Sequence, residues 1–157
     1  MKKTRGRNRF HQGRYRVQNP TKYLGDLNRI EYRSSWELFF MRWLDLNPNV
    51  IKWNSEGVKV DYFSKMDNKA RRYFIDFYVK YKDGAEFLYE IKPHKQIQPP
   101  KLPNGKSKKA IKRFEKEKYD FNVNLDKWVM AYESARLSGM KFKVITEKHL
   151  KQLGMEL

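Results

Sequence analysis

Apolar positions change period along this chain, and the changes divide it into elements. In residues 34–46, Trp36, Phe39, Phe40, Trp43 and Leu44 recur at i, i+3, i+4, i+7 and i+8, the stripe of a helix with one buried face. Asn47-Pro48-Asn49 ends it. The period then falls to two. Residues 50–53 and 57–63 predict two short strands, with Val58, Val60 and Tyr62 alternating with Lys59 and Asp61. A polar connection over 65–69 leads to 71–93, where two runs rich in β-branched and aromatic residues flank Lys82-Asp83-Gly84. That pattern predicts a β-hairpin.

Residues 94–105 contain Pro99, Pro100 and Pro103 and cannot form regular structure. A charged helix is expected over 107–119, with Ile111 and Phe114 inward. Asn124 is expected to cap a second helix ending at Leu137, with Leu125, Trp128, Val129, Tyr132 and Ala135 as its apolar side and Gly139 as its stop. A short strand over 142–145 and a helix capped by Thr146 complete the chain.

The hairpin carries the candidate chemistry. Phe87, Tyr89 and Ile91 fall on one face of its second strand, and Glu86, Leu88, Glu90 and Lys92 on the other. A three-residue Lys82-Asp83-Gly84 loop with Gly84 in the left-handed position pairs Tyr81 with Ala85 and sets Asp76 opposite Glu90. A two-residue loop would send Asp76 to the other face. In the first register, Asp76, Glu90 and Lys92 form one cluster. Facing carboxylates repel unless a cation lies between them, and hard oxygen ligands suit Mg²⁺ or Mn²⁺. The same residues also suit a solvated ion-pair patch. Glu37 has two roles open to it. It can close a capping box with Ser34, or supply a third carboxylate aimed from the helix toward the sheet.

Charge narrows the partner. Lys plus Arg number 35 against 18 Asp plus Glu, a net charge of +17, which points to a polyanion. Aromatic residues make up 15%, the composition of a folded domain rather than a disordered basic tail. No apolar run approaches the ~20 residues of a spanning helix, and no signal-peptide core is visible, so no membrane partner is expected. Cysteine is absent, which excludes disulfides and Cys-based zinc sites. His11, His94 and His149 have no metal-ligand spacing. Gly105-Lys106-Ser107 ends like a phosphate-binding loop, but Pro100 holds the place of the required first glycine and excludes it.

Two basic segments flank the hairpin in sequence. Residues 1–22 carry Lys2, Lys3, Arg5, Arg7, Arg9, Arg14, Arg16 and Lys22 and no acidic residue, and residues 1–28 read as a basic N-terminal arm ahead of an α/β domain over 29–157. Lys95, Lys101, Lys106, Lys108, Lys109, Lys112 and Arg113 follow the hairpin. Both segments are candidate contacts to the phosphates of a nucleic acid, double-stranded DNA if the resemblance below holds.

A helix bearing Glu37, a strand bearing Asp76 and a strand bearing Glu90-Ile91-Lys92 resemble, in that order, the PD-(D/E)XK nuclease superfamily. The matching segments are Ser34-Ser35-Trp36-Glu37, Tyr73-Phe74-Ile75-Asp76-Phe77 and Tyr89-Glu90-Ile91-Lys92-Pro93. Ile75 stands where the family usually has proline. Over residues 29–150, including Trp128 and Ala131, the chain looks most like the branch that contains the endonuclease subunit of heteromeric bacterial transposons. The resemblance implies a mixed central β-sheet flanked by helices, with a restriction-endonuclease-like core, and a Mg²⁺-dependent endodeoxyribonuclease for which Mn²⁺ can substitute. Asp76, Glu90 and the Ile91 carbonyl would hold the metal, Glu37 would support it, and Lys92 would position the attacking water. With its arm included, the chain is also similar to late-morphogenesis nucleases of T-even-type tailed phages. That implies action on packaged DNA ends during head completion, with phage head and connector proteins as partners. The place of action would be the infected bacterial cytoplasm or the virion. The alternative is a non-catalytic DNA-binding virion component that retains the fold. An RNA-binding structural protein, with Tyr15, Tyr23 and Tyr32 stacking bases, lacks any RNA-recognition motif.

Overall fold

The computed structural model describes residues 12–156; Arg5, Arg7, Arg9 and His11 lie outside them. The elements are β1 (Gly13–Arg14), β2 (Glu31–Tyr32), α1 (Ser35–Leu46), β3 (Val50–Ser64), β4 (Lys69–Tyr81), β5 (Glu86–Ile91), α2 (Lys108–Leu137), β6 (Lys141–Ile145) and α3 (Glu147–Gln152). Strands β3 to β6 form one mixed sheet in the order β3-β4-β5-β6, antiparallel except for the parallel β5–β6 pair. The α/β architecture with a mixed central sheet is therefore present.

Each face of the sheet has its own apolar cluster. On one, Phe40, Met41 and Leu44 of α1 and Leu150 of α3 pack on Val50, Trp53, Phe77, Val79, Tyr89 and Ile145. On the other, Ala131 and Ala135 of α2 pack on Val60, Tyr62, Tyr73, Ile75 and Leu88. Helix α1 begins as its sequence requires, with the Ser34 hydroxyl accepting the Glu37 amide at 3.1 Å.

Three expectations change. The two short strands over 50–63 are one strand, β3, whose pairing with β4 shifts between Ser55 and Val58. Glu56 takes a positive φ of 54° there, so the residues that read as a break form a bulge inside a continuous ladder. The two helices over 107–137 are also one, α2. Asn124 is internal, and Asn122 bonds back to the Lys118 carbonyl at 2.9 Å. Asparagine weakens a helix by well under ~1 kcal/mol, too little to break one that carries no glycine or proline.

The phase of α2 differs as well. Leu125, Val129 and Tyr132 are 40%, 61% and 56% exposed, and Ile111 is exposed too, while Ala131 and Ala135 are fully buried. The helix lies against the sheet along its small residues, because close approach between two backbones leaves no room for large side chains.

The chain after Gly13 is tied to the core. The Asp45 carboxylate at the end of α1 accepts from the Tyr15 hydroxyl (2.7 Å) and from the amides of Gln18 (2.7 Å) and Asn19 (3.0 Å). Lys22 donates to the carbonyls of Leu44, Asp45 and Asn47. These residues, read in sequence as part of the basic N-terminal arm, close the C-terminal end of α1. Among the described residues, no helix is long and apolar enough to cross a membrane.

Candidate active site

The turn chemistry sets the site. Gly84 has φ +88°, the Tyr81 amide donates to the Ala85 carbonyl at 2.9 Å, and β4 pairs with β5 as Phe77 opposite Tyr89 and Lys80 opposite Glu86. This is the register of the three-residue loop. The β4–β5 ladder stops at Phe77, whereas β3 and β4 continue together as a two-stranded ribbon from Ile75 back to Lys69. Asp76 stands at that fork. Its Oδ2 accepts the Ile91 amide at 2.8 Å, replacing a ladder bond.

The fork is also where β4 changes layer. Phe77 and Val79 belong to the cluster under α1, but Tyr73 and Ile75 join the cluster under α2. The β3 bulge lies directly opposite. Bulges re-aim side chains, and here the one between Ser55 and Val58 coincides with the residue that leaves the ladder.

Glu90 is buried, 5% exposed. Its Oε2 accepts the Tyr73 hydroxyl at 2.5 Å, and its Oε1 lies 3.7 Å from Lys92 Nζ. Burial pushes the Asp76 carboxyl up to about 8, with the Glu90 charge adding to the shift and the Ile91 amide and Lys92 opposing it. Glu90 is raised in turn by burial, against the pull of the Tyr73 hydroxyl and Lys92. Burial also raises Tyr73, and the Glu90 charge raises it further, so the hydroxyl stays protonated and donates. Two carboxylates thus sit together, Glu90 buried and Asp76 half-buried, with less cationic charge than both need to ionise. A hard divalent cation fits that deficit.

Asp76, Glu90 and Lys92 are brought together. Glu37 is set apart. Its Oε2 accepts the Arg33 amide at 2.8 Å, one residue before the expected capping-box partner. Burial raises its carboxyl, the Arg33 amide pulls it back down and the Asp76 charge raises it again, but Glu37 does not line the cleft over the acidic pair. Among the described residues, no three His, Asp or Glu side chains stand close enough to hold one metal ion.

A cleft of about 620 Å³ opens over the carboxylates, lined by Arg33, Glu56, Tyr62, Arg71, Arg72, Tyr73, Phe74 and Lys127 beside Asp76 and Glu90. Its cations are not the ones singled out in sequence. Arg14, Arg16, Lys95, Lys101, Lys106, Lys108, Lys109, Lys112 and Arg113 are all exposed, and none lines the cleft. Arg71 and Arg72 had a signal, a charged pair opening the strand that bears Asp76. Tyr73 read as one more apolar strand residue, and nothing local marked Lys127 or Arg33.

Residues 47–147 match the family model described as TnsA-like endonuclease N terminal, a stretch that holds Asp76, Glu90, Lys92 and Lys127 but not Glu37. Over 146 residues the chain is 44% identical to the head completion nuclease of Enterobacteria phage T4, covering 93% of this chain and 97% of that protein.

Proposed function

The chain belongs to the TnsA-like endonuclease N-terminal family, and on that premise we propose that it is a metal-dependent DNA endonuclease that acts in phage head completion. One observation carries the reading: the fork between β4 and β5 holds Asp76 and Glu90 together, with Lys92 on Glu90 and the Tyr73 hydroxyl beneath it.

Asp76, Glu90 and the Ile91 carbonyl would hold Mg²⁺, or Mn²⁺ in its place. When bound, such an ion polarises a phosphate oxygen and lowers the pKa of water at neutral pH. The protein supplies the rest. Tyr73 fixes one Glu90 oxygen by hydrogen bonding, so the carboxylate is held in a single orientation before substrate arrives. Lys92 holds its ammonium 3.7 Å from Glu90 Oε1, where it orients the attacking water and offsets negative charge on the phosphate. Glu37, tied to the Arg33 amide, supports the site from α1 through its charge. Arg33, Arg71 and Arg72 on the cleft wall meet the backbone of double-stranded DNA, and such phosphate contacts position a duplex without reading its bases. The basic segments outside the cleft, including Arg14, Arg16 and Lys95 to Arg113, extend that contact. A role in head completion places the work in the infected bacterial cytoplasm or on the virion, with head and connector proteins as partners.

The test is cleavage of supercoiled and linear duplex DNA in Mg²⁺, Mn²⁺ or EDTA, with wild type beside Glu90→Gln. We expect cutting that requires metal and is lost on the order of 10³-fold in the variant. Equal cutting by both proteins would remove Glu90 from the centre. Binding without cutting by either would leave a structural DNA-binding component.

A further inference from the structure

Lys127 belongs to no part of the acidic motif, yet it lines the cleft beside Asp76 and Glu90. It stands four and eight residues before Ala131 and Ala135, on the one face of α2 that lies flat against the sheet. The two small residues let the helix backbone approach closely, and that approach delivers the Lys127 stem to the fork. Its ammonium sits over the Tyr73 ring, 5.5 Å from the centroid, and Tyr73 is the residue that donates to Glu90.

The other cations of the site have carboxylates of their own. Lys92 pairs with Glu90, Arg33 with Glu56, Arg72 with Asp61, and Arg71 with Asp67. Among the described residues, the Lys127 ammonium has no ion pair and no hydrogen bond. Burial and the like charges of Lys92 and Arg71 act against its proton, which Glu90 and Asp76 help to retain. A half-buried ammonium with no anion of its own is costly to keep, and an arriving anion relieves that cost.

We propose that Lys127 is a second catalytic lysine, supplied by the helix layer, which donates hydrogen bonds to a non-bridging oxygen of the phosphate being cut. The inference rests on the nuclease reading above. Lys127 gives up no proton in this role. The water oxygen bonds to phosphorus and releases a proton to solvent, the bond to the leaving sugar oxygen breaks and that oxygen keeps the electron pair and takes up a proton from solvent, and the lysine holds charge throughout.

The experiment compares wild type, Lys127→Met and Lys127→Arg on one linear duplex. Three quantities are read: the single-turnover cleavage rate at saturating protein in Mg²⁺, duplex affinity in EDTA across a salt series, and thermal midpoint. We expect Lys127→Met to lower the rate on the order of 100-fold. Its slope of log affinity against log salt should shrink by about 0.9, the share of one phosphate contact. Its midpoint should hold or rise, since an unpaired charge is gone, and Lys127→Arg should keep the slope. A wild-type rate and slope in Lys127→Met overturn the proposal. So does a rate loss that follows a lowered midpoint with the slope unchanged. If wild type itself does not cut, the nuclease reading fails, while the salt slope still decides whether Lys127 meets a phosphate.

Discussion

At the residue scale the decisive feature is a pair of carboxylates that cannot both ionise comfortably without a cation. Asp76 has an ordinary value of 3.8 and is pushed up to about 8 in the fold, first by burial and then by Glu90. Between those values the folded chain keeps a proton that the unfolded chain has released. Its contribution to stability is therefore complete below 3.8 and is lost as pH rises through about 8. Glu90, also raised, acts in the same direction. In EDTA we expect the thermal midpoint to fall as pH goes from about 5 to about 8, and Asp76→Asn to flatten that slope and to melt higher than wild type at the alkaline end. Added Mg²⁺ should restore the wild type at high pH and leave Asp76→Asn unmoved. A midpoint that climbs with pH in EDTA would show that the pair is not proton-linked in this way.

At the element scale the site depends on two strands parting and one helix lying close. The β4–β5 ladder ends at Phe77, the β3 bulge faces the gap, and α2 closes over it along Ala131 and Ala135. A larger side chain at the helix contact has nowhere to go. Ala131→Leu should lower stability by about 1–3 kcal/mol through overpacking, measured by urea unfolding. Cleavage should fall further than the unfolded fraction explains, because lifting α2 also withdraws Lys127 from the cleft. Activity that merely tracks the folded fraction would mean that the position of α2 is not part of the site.

For the whole molecule the governing quantity is a net charge of +17. The cleft offers Arg33, Arg71, Arg72 and Lys127, and exposed cations at Arg14, Arg16 and Lys95 to Arg113 lie beyond it. If six or more phosphates are met together, affinity for a duplex should drop on the order of 10³-fold or more between about 50 and 200 mM salt. Unrelated duplex sequences should bind within a few-fold of one another, since contacts from lysine and arginine to phosphate carry no sequence information. A shallow salt dependence in a filter-binding or anisotropy titration would limit contact to the immediate cleft.

Local chemistry made much of this legible. Lys82-Asp83-Gly84 admits two tight loops, each with Gly84 at positive φ, and the three-residue loop that the chain adopts sets Asp76 on the face of Glu90. Ser34, Asn47-Pro48-Asn49 and Gly139 marked ends for the same reason: caps and stops act through the adjacent backbone. Phe40 and Leu44 announced a buried stripe that the core confirms. What stayed hidden was everything set by elements distant in sequence. Tyr73 and Lys127 acquire their meaning from Glu90, seventeen and thirty-seven residues away. Leu125, Val129 and Tyr132 looked like the inner face of α2 because hydrophobicity records what can be buried, not how closely a neighbour approaches. The alternating pattern by itself put Glu90 and Lys92 on one face and narrowed Asp76 to two registers, of which the fold takes the one that joins it to them. Only tertiary packing decided which cations surround them, because that depends on where a helix 30 residues long comes to rest on the sheet.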